Sequence, residues 1–165
     1  MKVRGFEKIS YQQFKKDFGD YNGTKDLYDK IMLPYRNTKY SAGYDFYSPF
    51  DFILKPNEKI IIPTGIKAYM QNDEYLGIYN RSSMGFKYNI RLCNQVGIID
   101  ADYYDNDNNE GHIFISYKNE GDKDWIVKQN DKIAQGIFNK YLMVDNETIP
   151  TRKRTGGIGT TNERR

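Results

Sequence analysis

The chain has 165 residues, and its 25 Lys and Arg against 22 Asp and Glu give a formal net charge of +3. This length suits one domain with a single core, and so weak a charge does not indicate a nucleic-acid surface. One Cys and one His exclude an intrachain disulfide and argue against a zinc site, and no apolar run is long enough to span a membrane. We therefore predict a cytoplasmic protein with no direct nucleic-acid partner and no membrane partner.

The first predicted element is a helix over residues 10–18. Ser10 and Gln13 have the spacing of a capping box, and Gly19 can end the helix. Three aromatic residues follow the spacing i, i+3, i+7 and share one face: Tyr11, Phe14 and Phe18. This stripe predicts that the helix docks on the domain or on a neighbouring subunit rather than forming a binding site.

From Leu33 onward the pattern changes to short strands separated by turns. The chain has 15 Tyr and 9 Phe, and aromatic residues favour strands. The predicted strands cover residues 41–47, 60–62, 66–70, 74–79, 96–99, 112–117, 125–127, 133–138 and 141–144. Many short strands with no helical period between them predict an all-β protein, built as a distorted jelly roll or β-barrel.

The most informative stretch runs from Asn94 to Tyr103. An apolar run containing Gly97 leads to two carboxylates, Asp100 and Asp102, and then to the aromatic ring. The missing side chain at Gly97 lets another group approach the backbone. A hairpin edge that carries these groups could bind and hydrolyse a small heterocyclic substrate; the alternative is a buried strand that ends in a polar turn.

Three other motifs carry groups suited to phosphates or their counterions. Arg81-Ser82-Ser83-Met84-Gly85 follows a predicted strand, and a helical turn that begins at the serines would direct free N–H groups at an anion. Gln135 lies inside an apolar strand, and Asp45 closes the sequence Ala-Gly-Tyr-Asp. Each motif alone also fits an ordinary turn or strand edge.

The C-terminal residues 151–165 differ from the domain predicted for residues 1–150. They hold three glycines, five basic residues and a single aliphatic residue, Ile158, so they cannot bury enough apolar surface to order themselves. Glycine amides and cations can bind phosphates, which predicts a flexible arm that orders over an anionic ligand. The alternative is a solvated tail.

Five motifs, in order, resemble those of the homotrimeric dUTPase family. They are Ala42-Gly43-Tyr44-Asp45, Arg81 to Gly85, Asn94 to Tyr103, Lys132-Ile133-Ala134-Gln135 and Gly156 to Thr161. The resemblance implies a distorted jelly-roll subunit of the dUTPase-like fold and a threefold trimer whose active sites are shared between chains. It also implies hydrolysis of dUTP to dUMP and pyrophosphate, with Mg²⁺ bound by the triphosphate.

The same resemblance implies roles for single residues. Asp100 would be the general base that activates the water attacking the α-phosphate, and Asp45 would contact Mg²⁺ through a bound water. Uracil and deoxyribose would be bound by Asn94, Gly97, Ile98, Ile99 and Tyr103, with Ile158 covering uracil from the arm. The phosphates would be bound by Arg81, Ser82, Ser83, Gln135, Lys153, Arg154, Gly156, Gly157, Gly159 and Thr160.

The chain departs from the family pattern at three places. Ile158 replaces the usual aromatic, and the family's arginine position holds Lys153 with Arg154 adjacent, so either cation could contact the γ-phosphate. A polar insert at residues 104–109 resembles inserts of some bacteriophage members and is predicted to protrude. It predicts contact with a regulatory, repressor-type protein; the alternative is a neutral surface loop.

Two other functions fit this set of motifs. One is a dCTP deaminase of the same fold, which would act on dCTP rather than on dUTP. The other is a nucleotide-gated signalling protein in which hydrolysis is secondary. The complete set of catalytic motifs favours the hydrolase.

Overall fold

Residues 2–158 are described by a computed structural model, in which short strands dominate. The predicted phosphate ligands Gly159 and Thr160 lie outside the described residues. In chain order the elements are β1 (Gly5–Lys8), α1 (Tyr11–Phe18), α2 (Thr24–Asp29), β2 (Tyr44–Tyr47), β3 (Phe52–Leu54), β4 (Lys59–Pro63), β5 (Ile66–Tyr69), β6 (Glu74–Tyr79), α3 (Ser82–Tyr88), β7 (Ile90–Leu92), β8 (Gly97–Asp100), a 3-10 turn (Ala101–Tyr103), β9 (Phe114–Asn119), β10 (Trp125–Val127) and β11 (Lys132–Lys140).

The strands form two main sheets and two ribbons of two strands. The larger sheet has the order β2-β11-β6-β8, the smaller has the order β4-β9-β7, and the ribbons are β1-β5 and β3-β10. Every pairing of these strands is antiparallel. Apolar side chains of both main sheets join one buried cluster, which includes Phe46, Leu76, Ile78, Ile62, Ile115 and Tyr117. The prediction of an all-β, jelly-roll-like fold is confirmed.

The predicted N-terminal helix is confirmed as α1. The Ser10 hydroxyl accepts a hydrogen bond of 3.1 Å from the Gln13 N–H, and Gly19 ends the helix at φ +115°. Phe14 is fully buried, and Phe18 stacks on it. The aromatic stripe therefore packs on its own chain.

Contacts with the segment before β9 hold α1 in place. The Glu110 carboxylate accepts from the Ser10 N–H at 2.8 Å and from the Ser10 hydroxyl at 2.6 Å. Near the end of the helix, Asp17 Oδ2 lies 2.6 Å from Nδ1 of the buried His112. Because the Gly65 N–H donates to His112 Nε2 at 2.8 Å, the proton of the neutral ring lies on Nδ1 and is donated to Asp17.

His112 should make the stability of the protein depend on pH. Burial lowers the pKa of His112 below its ordinary value of 6.5, against the opposing effect of Asp17. The unfolded chain then binds the proton more readily, so the stabilisation is complete above pH 6.5 and is lost as the pH falls below it. We expect the urea concentration at the midpoint of unfolding to decrease as the pH is lowered from about 7.5 to about 5.5. All measurements are made at one protein concentration.

The chain has a single histidine, so a His112→Asn variant should lose most of that pH dependence. A variant that retains the full dependence would show that another group is its source.

The predicted strand over residues 141–144 is wrong. β11 ends at Lys140, and the apolar side chains that follow are exposed, Leu142 at 97%. A strand needs a paired neighbour, and no strand in residues 2–158 pairs with this segment. The sequence patterns also miss β1, β3, β7 and α2, which are three to six residues long and too short to display a period.

Candidate active site

A cavity of about 280 Å³ opens beside β8, at the edge of the larger sheet. It is lined by the turn before β8, by β8 itself, by apolar side chains of neighbouring strands and by the arm. The lining residues are Ile78, Leu92, Asn94, Gly97, Ile98, Ile99, Asp100, Tyr103, Phe114, Ile115, Arg154, Gly157 and Ile158. The structure thus brings together every residue predicted to bind uracil or deoxyribose, and Asp100 with them.

The turn that leads into β8 places Asn94 near the backbone of Gly97. The Val96 N–H donates to the Asn94 carbonyl at 2.7 Å, and Gln95 adopts φ +63°. A Cβ at Gly97 would lie only 3.0 Å from Cβ of Ile78, so β8 lies close against β6. The predicted hairpin needs correction, because β7 and β8 belong to different sheets. The turn crosses between the sheets, and their separation leaves room for the cavity.

Asp100 ends β8, and its carboxylate pairs with the arm. Arg154 Nη2 lies 2.5 Å from Asp100 Oδ2, and Arg154 Nε lies 2.8 Å from Asp102 Oδ1. Asp102 lies in the 3-10 turn rather than on a longer strand, yet one guanidinium reaches both carboxylates. Lys153 lies 3.7 Å from the exposed Asp107. Of the two candidate cations, Arg154 is therefore the one that lines the cavity.

The arm passes over the ring of Tyr103. A Cβ at Gly157 would lie 2.6 Å from Cε2 of Tyr103, so glycine permits this close approach. Gly156 is buried, whereas Ile158 lines the cavity and is 87% exposed. Ile158 is therefore in a place from which an apolar side chain can cover a bound base.

Residues 104–109 form a folded turn against Tyr103, not the protruding loop that composition predicts. Asn106 and Asn109 are only 5% and 9% exposed. The Asn109 amide donates to the Tyr103 hydroxyl at 2.7 Å, and that hydroxyl donates to the His112 carbonyl at 2.8 Å. Burial raises the pKa of Tyr103 and keeps its phenol protonated. Asn favours turns, but its amide can equally satisfy a buried group, and composition does not separate the two.

A second cavity, of about 380 Å³, holds predicted phosphate ligands of the main domain: Arg81, Ser82 and Gln135, with Asp45 beside them. The buried Asp45 carboxylate pairs with Arg81 at 3.3 Å and with Lys132 at 2.9 Å. Two cations around one carboxylate leave a net positive charge, which suits a polyanionic ligand.

Local backbone geometry explains how these side chains meet. Ser82 begins α3, which confirms the helical turn predicted at the serines. Ser83 lines a neighbouring cavity of about 420 Å³, and Arg81 lines both. A Cβ at Gly43 would lie 2.6 Å from Gln135 Oε1, so glycine leaves room for the Gln135 side chain directly before β2.

Asp45 is the candidate for contact with Mg²⁺. No group of three or more metal-binding side chains is found in residues 2–158. The two Asp45 oxygens already form ion pairs with Arg81 and Lys132, but an ionised carboxylate has about four lone-pair sites, so a metal-bound water can still donate to it. These residues fit a hydrated Mg²⁺ carried by phosphates, and they do not fit an ion held by protein ligands alone.

The structure divides the predicted site between the two cavities. The cavity beside β8 is lined by the residues predicted to bind the base, by Asp100 and by part of the arm, whereas the second is lined by predicted phosphate ligands of the main domain. Among the described residues, the two lining sets have no member in common.

Sequence analysis predicts no role in the site for Lys132, Asn106 or Asn109. Lys132 is the first residue of the motif Lys132-Ile133-Ala134-Gln135, and its place in that motif is the available signal. Asn106 and Asn109 carry no such signal, because a run of Asn and Asp is equally typical of an exposed loop.

The fold and cavities define an all-β protein with a small-molecule site, and comparison with known proteins identifies its family. A family model for dUTPase matches residues 29–162. The deoxyuridine 5'-triphosphate nucleotidohydrolase of Lactococcus lactis subsp. lactis (strain IL1403) is 40% identical over 162 residues, which are 98% of this chain and 99% of the relative. The chain belongs to the dUTPase family, as the five motifs predict.

Solved structures agree with the fold. The dUTPase from Streptococcus mutans matches with a TM-score of 0.69 and 38% identity, over 86% of this chain and 98% of that chain. The dUTPase from phage phi11 of S. aureus matches with a TM-score of 0.66 and 18% identity, over 90% and 96%, which supports the fold alone. None of the helices in residues 2–158 has the length and apolar content needed to cross a bilayer.

Proposed function

We propose that this chain is a dUTP diphosphatase that hydrolyses dUTP to dUMP and pyrophosphate with Mg²⁺. The observation that carries the proposal is the cavity beside β8, in which Asp100 lines the same space as the predicted uracil ligands. Membership of the dUTPase family supports the reaction class.

Uracil would bind at the free edge of β8. The backbone groups of Gly97 and Ile98 and the amide of Asn94 offer donors and acceptors along that edge. A base with a mismatched pattern would leave buried polar groups unpaired, which can discriminate by roughly 10⁴-fold. The tight turn before β8 would leave no room for the methyl group of thymine.

Hydrolysis would begin when Asp100 takes a proton from the water that attacks the α-phosphorus. The oxygens around that atom are negative, so attack requires charge neutralisation as well as a base. Arg81 and Lys132, held together by Asp45, would supply cations to the triphosphate, and Arg154 would move from Asp100 towards the phosphates. Mg²⁺ bound to the triphosphate would neutralise further charge on the phosphate oxygens.

Complete sites would form between the subunits of a homotrimer. A single dUTP must reach both the base cavity and the phosphate cavity, yet within one chain these are separate. Joining the first cavity of one subunit to the second cavity of its neighbour would bring the groups together. Apolar side chains that stay exposed in one chain, including Phe86, Leu142 and Met143, are available for burial in such contacts.

A mixed assembly tests this sharing. Asp100→Asn removes a group of the first cavity and Arg81→Ala a group of the second, and each variant alone should be nearly inactive. If the two cavities of a site come from different subunits, trimers reassembled from an equal mixture should recover about a quarter of wild-type turnover. Recovery at the level of the separate variants would place each site within one chain.

Pyrophosphate release from dUTP, with dTTP, dCTP and UTP as controls, tests the reaction itself. A diphosphatase should release pyrophosphate from dUTP far faster than from the controls. Ammonia release from dCTP would instead identify the deaminase, and tight dUTP binding without turnover would identify a nucleotide-gated binding protein.

A regulatory, repressor-type partner at residues 104–109 stays a prediction. Asn106 and Asn109 face inward, so a partner would contact the exposed carboxylates of this turn, Asp105 and Asp107. Replacing both by Asn and measuring capture of a candidate repressor tests the contact, while dUTP turnover serves as the control for an intact site.

A further inference from the structure

The Asn109 side chain is held so that its amide has only one orientation. Its Oδ1 accepts from the Gly111 N–H at 3.1 Å and from Asn106 Nδ2 at 2.8 Å. Oδ1 is thereby fixed as the acceptor end, and Nδ2 donates to the Tyr103 hydroxyl. That hydroxyl has one proton, which it donates to the His112 carbonyl. Each hydrogen bond in the series therefore has a single direction.

Asn106 holds the turn that presents Asn109. Its Oδ1 accepts from the N–H groups of Asn108 and Asn109, both at 3.1 Å, and its Nδ2 also donates to the Tyr103 carbonyl at 2.7 Å. Gly111 closes the turn at φ +82°, where a Cβ would lie 2.7 Å from the same carbonyl. The backbone and the hydroxyl of Tyr103 are thus both fixed by residues 106–112.

We propose, on the basis of the function proposed above, that Asn109 is a positioning residue that sets the selectivity of this enzyme for deoxyribose over ribose. The Tyr103 ring lines the cavity and is in contact range of Gly157 in the arm. The hydrogen bonds from Asn109 and to the His112 carbonyl together fix the ring at its hydroxyl end, and a ring held in this way cannot tilt to make room for a 2′-hydroxyl on a sugar packed against it. Asn106 and Asn109 accordingly support the substrate site from within a turn whose other side chains lie at the surface.

Substitution of Asn109 by Ala tests the proposal. We expect the ratio of kcat/KM for dUTP to that for UTP to fall about tenfold, because a buried hydroxyl loses its donor. Asn108→Ala is the matched control: Asn108 is the adjacent residue of the same type, and it is exposed. The ratio of kcat/KM for dUTP to that for UTP should be the same in Asn108→Ala as in the wild type. The temperature of unfolding, measured without nucleotide, separates loss of selectivity from loss of fold.

Tyr103→Phe retains the ring but removes both hydrogen bonds of the hydroxyl, the one from Asn109 and the one to the His112 carbonyl. If Asn109 acts through the hydroxyl, adding Asn109→Ala to Tyr103→Phe should lower the ratio no further. Should Asn109→Ala fail to fold, Tyr103→Phe alone must lower the ratio. An unchanged ratio in folded Asn109→Ala, or additive losses in the double variant, would overturn the proposal. Wild-type protein that does not hydrolyse dUTP would instead overturn the proposed function.

Discussion

Replacing Asp100 by Asn should reduce dUTP turnover at least about a hundredfold, as removal of a general base commonly does. The amide has the shape of the carboxylate but cannot take a proton from the attacking water. Nucleotide affinity should be retained or improved, because a negative charge beside the triphosphate is removed. Turnover is measured by pyrophosphate release, and affinity by calorimetry with a non-hydrolysable α,β-imido analogue of dUTP.

Asp102→Asn is the matched control for this experiment. Arg154 contacts both carboxylates, but only Asp100 lines the cavity beside β8. Each variant therefore loses an ion pair with Arg154, whereas only Asp100→Asn also loses the proposed general base. Near-normal turnover in Asp100→Asn, or equal losses in the two variants, would rule out Asp100 as the base.

Truncation before Thr151 should also reduce turnover at least about a hundredfold, comparable to the loss of one preorganised donor to a developing charge. The deletion removes Arg154, Gly157 and Ile158 from the wall of the cavity. The fold should persist, because none of the side chains of the core cluster belongs to the deleted described residues. Size-exclusion chromatography and thermal unfolding check the assembly, and steady-state kinetics give the loss.

Arg154→Ala in the full-length chain separates the guanidinium from the rest of the arm. We expect its turnover to lie between those of the wild type and the truncated chain, since the glycine amides and Ile158 remain. Full activity in the truncated chain would identify the tail as a solvated segment with no part in the reaction.

The sequence predicts the fold where an element has an apolar run or an apolar face, and it predicts the site where the reactive groups lie close together along the chain. Phe14 and Phe18 lie on one face of a capped helix, and β10 has the bounds that its short apolar run predicts. The run from Asn94 to Tyr103 contains most of the groups predicted to bind the base within ten residues. Because these groups are neighbours in the sequence, they also line one cavity.

What could not be predicted depends on contacts between distant parts of the chain. The sequence predicts a hairpin edge at residues 94–103 but does not predict β7. The pairing of β8 with β6 and of β7 with β9 places these two strands in different sheets. Asn109 reads as a loop residue until Tyr103, Asn106 and Gly111 are placed around it. Lys132 joins the site through Asp45, which lies on another strand.

The contacts between α1 and the segment before β9 affect how the chain can fold during its synthesis. Ser10 cannot bond to Glu110 until the ribosome has added 100 more residues, and Asp17 cannot bond to His112 until it has added 95 more. At ribosomal rates that delay is on the order of 5–20 s. During it the aromatic face of α1 can pack only on nearer partners such as Tyr28 and Phe50. Contacts of such long range also slow folding, so the docking of α1 on this segment should be among the last steps in the folding of the subunit.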